Sequence, residues 1–255
     1  MAFNVEAYMN KALETTENNI HVVQKLERFM PIKDSLYIGR FISYISEGIH
    51  KNEKFNSESD TIRLEFEIYS VDEDENKNII SSDGKYPVVS RFVSNSYSEK
   101  SALIALGKSM DPASEFKQLY QMLGKVFRID FLVTENKEEP SKSTYRIQNV
   151  KYPVEKVLNP TGKGLQTVNY EDFAPETTRQ LQLFLWNHPD IGAWDALFRE
   201  GFFDNKSKNY VQNRIREAVN FVDSPIYKVL EKAGRDPFTD YDENGNIIYK
   251  HAVNK

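Results

Sequence analysis

The stretch RFVSNSYSEKSALIALGKSM, Arg91–Met110, changes character halfway along its length. Its first residues alternate in the manner of a β-strand, a Ser/Asn cluster follows, and small and apolar residues then recur at helical spacing. Ser96 and Glu99 have the spacing of a capping box just before the apolar run, which predicts that a helix begins there. The stretch is therefore predicted to be a corner at which a strand turns into a helix.

The same stretch ends in Gly107-Lys108-Ser109, which matches the last residues of a phosphate-binding loop. Such a loop needs a first glycine five residues earlier, and that position holds Ala102. No strand leads directly into a glycine-rich turn either. We interpret these three residues as the end of a helix and not as a nucleotide site.

Five segments around this corner have the composition of strands, because they are rich in β-branched and aromatic residues and are bounded by turn residues. They are Ser35–Ser46, Thr61–Val71, Tyr86–Ser94, Lys125–Thr134 and Ser143–Tyr152. A helix between only the third and fourth strands is the connectivity of an OB-fold barrel. The predicted fold is mainly β with added helices, built on a five-stranded OB barrel; a five-stranded sandwich with an inserted helix is the alternative.

The second predicted strand shows the clearest alternation in the chain. Apolar side chains (Ile62, Leu64, Phe66, Ile68) take turns with charged ones (Arg63, Glu65, Glu67). This pattern predicts an inner apolar row and an outer charged row that faces solvent. The acidic segment that follows, from Val71 to Lys85, is predicted to be a solvent-facing connection.

Three regions are predicted along the chain. Residues 1–30 form a helical arm, residues 31–158 the barrel, and residues 159–255 a linker, a helical region and a terminal hairpin. In the last region we expect a helix before a turn at His188-Pro189, a short helix with Trp194, and an amphipathic helix. The apolar face of that last helix is assigned to Tyr210, Val211, Ile215 and Val219.

The segment Asp240–His251 has two interpretations. Its opening DYDENG resembles a calcium loop, but the twelfth position holds His251 where a bidentate glutamate is needed. Asn244-Gly245 is a strong signal for a tight turn between two strands. The hairpin is favoured over the calcium site.

Composition limits the function classes. The 255-residue chain has a formal charge of −5 and no cysteine, which excludes disulfides, thiolate metal sites and cysteine nucleophiles and suits a reducing cytoplasm. Its four histidines are isolated, and no grouping of catalytic residues can be nominated. No segment is long and apolar enough to span a membrane. We expect a protein that is not an enzyme and that needs no metal or cofactor.

Basic and aromatic residues alternate on the predicted strands, and five basic residues against one acid lie between Pro140 and Gly164. Single-stranded nucleic acids are held by aromatic rings over a cationic groove. The opposing interpretation is that many of these rings fill a small barrel. The candidate DNA-binding residues are Tyr37, Arg40, Arg63, Arg91, Phe92, Lys142, Tyr145, Arg146, Lys151 and Tyr152.

Three short motifs resemble a known family. They are Lys100-Ser101 with Leu103, then Leu123-Gly124-Lys125, and finally Tyr145 with Ile147, Asn149 and Val150. Residues 35 to 235 resemble the OB-fold single-stranded DNA-binding proteins of tailed bacteriophages. The resemblance implies a protein that coats single-stranded DNA during phage replication or recombination in the host cytoplasm. The helical arm and the C-terminal region are additions to a minimal barrel. We expect them to mediate self-association, and the C-terminal region to contact replication or recombination proteins.

One alternative function belongs to another class. The apolar segment LFLW…AWDALF, between residues 183 and 198, and the net charge of −5 suit a surface that binds protein. A phage structural or assembly protein that uses an OB-like barrel for docking therefore remains as the second hypothesis.

Overall fold

The computed structural model describes residues 29–32, 35–54, 56–81, 83–139, 142–159, 162, 164–203, 206–241 and 247–251. The chain divides into two compact units, Met1–Met30 and Pro31–Lys255. The predicted N-terminal helical arm lies outside the described residues, except for 29 and 30. In the part of the chain that is described, no helix has the length and apolar composition to cross a bilayer.

An antiparallel sheet organises the second unit. Its strands lie in the order β3-β2-β1-β4-β5, and the short strand β8 adds to β1 in parallel. The five main strands are β1 (Tyr37–Asn52), β2 (Ser57–Ser70), β3 (Val88–Ser94), β4 (Val126–Thr134) and β5 (Thr144–Lys151), and β8 is Gln182–Phe184. The outermost strands β3 and β5 approach each other, but no backbone ladder joins them among the described residues. The predicted mainly-β class is confirmed, whereas a closed barrel is not observed.

The inner face of the sheet forms the first core. Ile62, Leu64, Phe66 and Ile68 are all fully buried, as their alternation predicts. The ring of Phe66 stacks on that of Phe41 in β1 with 5.2 Å between centroids. Two bulges in β1, at Phe41/Ser43 and Ser46/Gly48, bend this long strand. The first part of β1 consequently pairs with β4 and a later part with β8.

The acidic connection after β2 contains a short helix that the sequence analysis missed, α1 (Glu73–Ile79). Asp72 caps it by accepting hydrogen bonds from the backbone N–H groups of Asp74 and Glu75 at 3.0 and 2.9 Å. None of its residues is buried, so the expected exposure of this segment is confirmed.

The strand-to-helix corner is present, but its cap was wrongly assigned. Helix α2 spans Ala102–Met110, and the Ser101 hydroxyl, rather than that of Ser96, accepts from the Ile104 N–H at 3.2 Å. Ser98 to Lys100 form a turn, because the Ser101 N–H donates to the Ser98 carbonyl at 2.9 Å. A 3₁₀ turn, Leu119–Met122, precedes β4. Gly107-Lys108-Ser109 lies in the last turn of α2, as interpreted.

Two predictions for the chain after β5 are wrong. The expected linker is a hairpin of β6 (Val154–Leu158) and β7 (Leu165–Asn169). The expected helix before His188 is the strand β8, because alternating side chains in QLF let it pair with β1. A turn does follow, since the His188 N–H donates to the Leu185 carbonyl at 3.1 Å. The remaining elements are a 3₁₀ turn at Tyr170–Phe173, helices α3 (Ile191–Ala196), α4 (Tyr210–Arg216) and α5 (Pro225–Lys232), and strands β9 (Phe202–Phe203), β10 (Lys206–Ser207), β11 (Thr239–Tyr241) and β12 (Ile247–Lys250).

Helices α3 to α5 and strand β8 enclose a second core. Its members include Ile45 from β1, so this core lies against the outer side of the sheet. Phe184, Trp194 and Leu197 are buried in it, at 0, 3 and 1% exposure. The apolar segment from residue 183 to 198 therefore packs largely within its own chain. Val219 was wrongly assigned to the apolar face of α4, because that helix ends at Arg216 and Val219 is exposed.

The terminal segment is a hairpin. Strands β11 and β12 pair antiparallel, with Thr239 opposite Lys250. The Asp240 carboxylate is occupied by side chains, because it accepts from Arg216 at 2.7 Å and from Asn209 at 2.9 Å. Residues 242–246 of the turn lie outside the described residues. Nowhere among the described residues do three or more His, Asp or Glu side chains form a group that could hold a metal.

Candidate nucleic-acid interface

The outer charged row of β2 does not reach solvent. Arg63, Glu65 and Glu67 are only 6, 3 and 0% exposed. The Glu67 carboxylate accepts from the Thr177 hydroxyl at 2.6 Å and also from the hydroxyl of Thr178. Because the C-terminal region covers this face, a nucleic acid cannot lie across it.

Two candidate residues are structural. Tyr37 is 1% exposed, and its hydroxyl accepts from the Ile32 N–H at 2.8 Å and donates to the Glu75 carboxylate. Arg40 donates to the carbonyls of Gly124 and Pro175 at 2.9 and 2.8 Å. Neither the Tyr37 ring nor the Arg40 guanidinium is available to DNA, so both assignments are wrong. The core-filling interpretation holds for Tyr37.

Three further candidate cations are paired with carboxylates. Arg63 lies 2.5 Å from Glu47, Lys142 lies 2.7 Å from Glu139, and Lys151 lies 2.5 Å from Asp130. The Arg63 pair is buried, whereas the two lysine pairs are at least partly exposed. Burial opposes ionisation of Asp130, but hydrogen bonds from Lys151 and Asn149 outweigh it and lower the pKa of this carboxyl. Charge at these three positions is largely neutralised within the protein.

Arg91 and Arg146 differ from these cations. Among the described residues, none of the ion pairs involves either arginine. Arg91, in β3, donates to the Gln148 carbonyl in β5 at 3.0 Å and so bridges the two outermost strands. Its partial burial, together with the neighbouring Arg146 charge, lowers the pKa of Arg91. Two arginines without a carboxylate partner therefore lie where β3 approaches β5, because Arg91 binds the Gln148 carbonyl only two residues from Arg146; we call this place the β3–β5 seam.

Tyr145 lies in β5 next to Arg146 and is partly buried. Its ring meets that of Phe131 edge-on, with 5.8 Å between centroids, and Phe131 meets Tyr37 in the same way at 5.4 Å. This row of rings extends outward from the buried Tyr37. Because successive side chains of a strand point to opposite faces, Tyr145 and Arg146 lie on different sides of β5.

Phe92 is the most open ring among the candidates, at 52% exposure. One side of it covers the Arg63 guanidinium at 4.7 Å, and the Tyr210 ring also contacts that guanidinium, at 5.2 Å. Buried Arg63 thus acts as a cationic support for an exposed ring, a favourable cation–π contact. Tyr152 is also exposed, but it follows β5 and its N–H is tied to the Ser109 carbonyl at the end of α2.

A groove of about 480 Å³ adjoins Phe92. The β1–β2 hairpin, the end of β3 and Arg214 of α4 line it. We call it the Phe92 groove. Burial, and then the Arg214 charge, lower the pKa of His50 on its wall, so this imidazole is neutral near pH 7. Sequence reasoning did not select His50, Tyr210 and Arg214 as site residues. Packing of α4 brings Arg214 to the groove and Tyr210 to the Arg63 guanidinium.

No family model matches this chain, and no curated protein has a significant match to it. The description of the site therefore depends on its own geometry. The structure brings Arg63 and Phe92 together, and Arg91 and Arg146 together. It leaves Tyr37, Arg40, Lys142, Lys151 and Tyr152 outside these two groups.

Proposed function

We propose that the protein binds single-stranded DNA along the β3–β5 seam and the Phe92 groove, without catalysis. The pair of arginines is the observation that carries the proposal. The Arg146 charge acts on the partly desolvated Arg91, and such a repulsion between like charges is unfavourable until an anion binds between them. A phosphate accepts charge-assisted hydrogen bonds from guanidinium groups and would offset this repulsion.

The exposed face of Phe92 supplies the second element of such a site. A nucleobase that stacks on this ring would gain ~1–3 kcal/mol, and stacking accepts any base. The cationic support from Arg63 holds the ring in place without adding charge to the surface, because Glu47 neutralises it. Recognition would therefore combine backbone charge at the seam with stacking in the groove.

We further propose that the five-stranded sheet is an OB-type barrel that is open between β3 and β5. The strand order, the contact of the outer strands and the helix α2 between β3 and β4 support this assignment. Because the C-terminal region covers the outer face of β2, the bound DNA strand would instead follow the edges of the sheet at β3 and β5. The sequence resemblance supports a role in coating DNA during phage replication or recombination in the host cytoplasm, with replication or recombination proteins and further copies of the chain as partners.

Fluorescence anisotropy with labelled oligo(dT) tests the proposal. We expect binding that weakens as salt increases, since each phosphate contact releases counterions. Arg146→Ala should weaken binding and reduce the slope of log K against log salt by about 0.7, the value for one phosphate of a single strand. Lys142→Ala is the matched control, because Lys142 is exposed but already paired with Glu139. Absence of binding at low salt would sink the proposal.

One observation favours the alternative, an assembly protein that docks on other proteins. At the tip of the β6–β7 hairpin, Leu158 and Leu165 lie opposite each other and are 72 and 66% exposed. Paired aliphatic side chains in solvent are typical of a protein contact. Under this alternative, sedimentation velocity would show a complex or oligomer for the natural protein and its loss in Leu158→Ser. Added oligo(dT) would not change the sedimentation of either protein.

A further inference from the structure

A second cavity, of about 200 Å³, lies between α2 and the 3₁₀ turn at Leu119–Met122. Apolar side chains form most of its wall, and three aromatic residues contribute to it. The aliphatic lining comes from Leu103, Ile104, Leu119 and Met122, and the aromatic lining from Tyr44, Tyr97 and Phe116. A small pocket of this kind with a few polar groups is typical of a binding site. We call it the α2 pocket.

Polar groups converge on this apolar pocket. Tyr44 is 4% exposed, and no described residue makes a hydrogen bond to its hydroxyl. Gln118 accepts from the Tyr97 hydroxyl at 3.0 Å, which leaves its amide NH₂ as a donor. Lys108 and Lys117 lie at the rim and are exposed. Asp111 is the one acid in the lining, and one of its oxygens is engaged by the Phe116 N–H at 2.8 Å.

Gly107 in the pocket wall gives an independent indication. A glycine inside a helix is less favourable than an alanine, since it loses more conformational freedom on folding. The backbone of Gly107 does not need glycine, because its φ is not positive and an added Cβ would approach only Leu119, at 3.9 Å. Packing therefore leaves room for a side chain here, and a side chain larger than that of alanine would extend into the open pocket.

We infer that the α2 pocket takes one nucleobase of a bound single strand, with the adjoining phosphates at Lys108 and Lys117. The inference rests on the proposed DNA-binding function and names a base site within it. The rings of Tyr97 and Phe116 offer stacking faces, and the Tyr44 hydroxyl and Gln118 amide offer hydrogen bonds to a base edge. An aliphatic peptide side chain would fill the pocket but leave both polar groups unmet.

The position of the pocket agrees with this occupant. Ser94, at the end of β3, lines the Phe92 groove, and Tyr97, three residues later, lines the α2 pocket. The intervening Asn95 is anchored by its amide, which donates to the Asp60 carboxylate at 2.7 Å. A DNA strand with one base stacked on Phe92 can therefore continue over this fixed turn and place another base in the α2 pocket.

Filling the pocket in the full-length chain tests the inference. Gly107→Leu places a side chain in the cavity, and Gly107→Ala is the matched control that adds only a methyl group. We expect Gly107→Leu to weaken oligo(dT) binding about tenfold, equivalent to ~1.4 kcal/mol and in the range for one stacked base. Gly107→Ala should bind within about twofold of the natural protein and melt at a higher temperature. Thymidine 5′-monophosphate should shift the Ile104 and Met122 methyl resonances in the natural protein and not in Gly107→Leu.

A melting curve shows whether Gly107→Leu is folded. If it is not, Tyr97→Ala takes its place, because Tyr97 is 59% exposed and its loss spares the core; the same weakening is expected. Equal oligo(dT) affinity in all variants, with unshifted methyl resonances, overturns the base site and leaves the proposed function standing. No oligo(dT) binding by the natural protein overturns both.

Discussion

The two surfaces of this sheet that carry arginine differ in what covers them. On the outer face of β2, Arg63 lies under the C-terminal region, 2.5 Å from Glu47. At the β3–β5 seam, Arg146 is exposed and no carboxylate among the described residues pairs with it. The comparison shows that identical side chains have a structural role where a second layer packs and are available for binding where it does not.

The largest expected effect concerns the covered face. Arg63→Ala would remove the closest partner of the buried Glu47 carboxylate and lower the free energy of unfolding by ~3–5 kcal/mol. Urea denaturation measures this change. Arg146→Ala is the control and should change stability by no more than ~0.5 kcal/mol, as for other exposed positions. Equal losses in the two variants would contradict the distinction between the surfaces.

The contact between β1 and the C-terminal region that packs on it can be tested at Gly48. This residue has a φ of +84°, and an added Cβ would lie 2.4 Å from the Trp186 ring. Gly48→Ala should therefore cost about 3 kcal/mol, from overpacking and from the left-handed backbone together. Gly84→Ala isolates the second cause, because Gly84 has a φ of +75° and open space around it. Its cost should be only ~1–2 kcal/mol; if calorimetry gives the same loss for both, Trp186 does not restrain β1.

The stability of the C-terminal region that covers the sheet should depend on pH through Asp240. Burial acts to raise the pKa of Asp240, but hydrogen bonds and charge from His251 and Arg216 outweigh it and lower the pKa. Because the folded pKa lies below the unfolded value of about 3.9, this stabilisation is complete above that value and is lost as pH falls through the folded pKa.

Asp240→Asn should therefore cost ~1.5–3 kcal/mol at pH 7, the range for a hydrogen bond to a charged group. Its stability deficit should shrink below about pH 4. Urea denaturation between pH 7 and pH 3 measures both effects. Asp223→Asn, at an exposed position, is the control that should follow the natural protein throughout. A constant deficit across this range would show that the charge of Asp240 is not what stabilises this C-terminal region.

The smallest effect should appear at the open surface, as a change in affinity. Phe92→Ala should weaken oligo(dT) binding by ~1 kcal/mol or somewhat more through the loss of a stacking face. Phe173→Ala is the control, since this ring is 49% exposed and lies outside the lining of the groove. If anisotropy titrations give the same oligo(dT) affinity for both variants, Phe92 is not part of the interface.

Local pattern predicted much of the sheet. The alternation in β2 correctly placed Ile62, Leu64, Phe66 and Ile68 inside, because a strand turns successive side chains to opposite faces. The same reasoning was wrong in predicting that the outer row faces solvent. Alternation specifies to which face of the sheet a side chain points, but not whether another part of the chain covers that face. Sequence reasoning also expected a helix where β8 lies, and pairing with β1 outweighed that local interpretation.

The candidate site was only partly accessible to sequence reasoning. Arg91, Phe92 and Arg146 could be chosen because strand chemistry and basic composition coincide there. The role of Tyr210 and Arg214 at the site carried no local signal, because their proximity to Phe92 results from α4 packing against the sheet. His50 lies in β1, and the pairing of β1, β2 and β3 brings it to the same groove. The pairing of Lys151 with a carboxylate was equally invisible, since Asp130 and Lys151 lie on different strands. The partner of Lys142 is local, because Glu139 lies only three residues before it.

By itself the sequence determined the mainly-β class, the approximate positions of the five main strands and the helix in the Arg91–Met110 corner, because these depend on residue periodicity over short distances. It did not determine how far β1 and β2 extend, since β1 continues to Asn52 and β2 begins at Ser57. Only the tertiary structure decided which charged side chains remain exposed to solvent. That outcome depends on contacts between residues far apart in the chain, such as Thr177 with Glu67 and Arg91 with Gln148. Such contacts decide which surfaces are desolvated, and no local pattern encodes them.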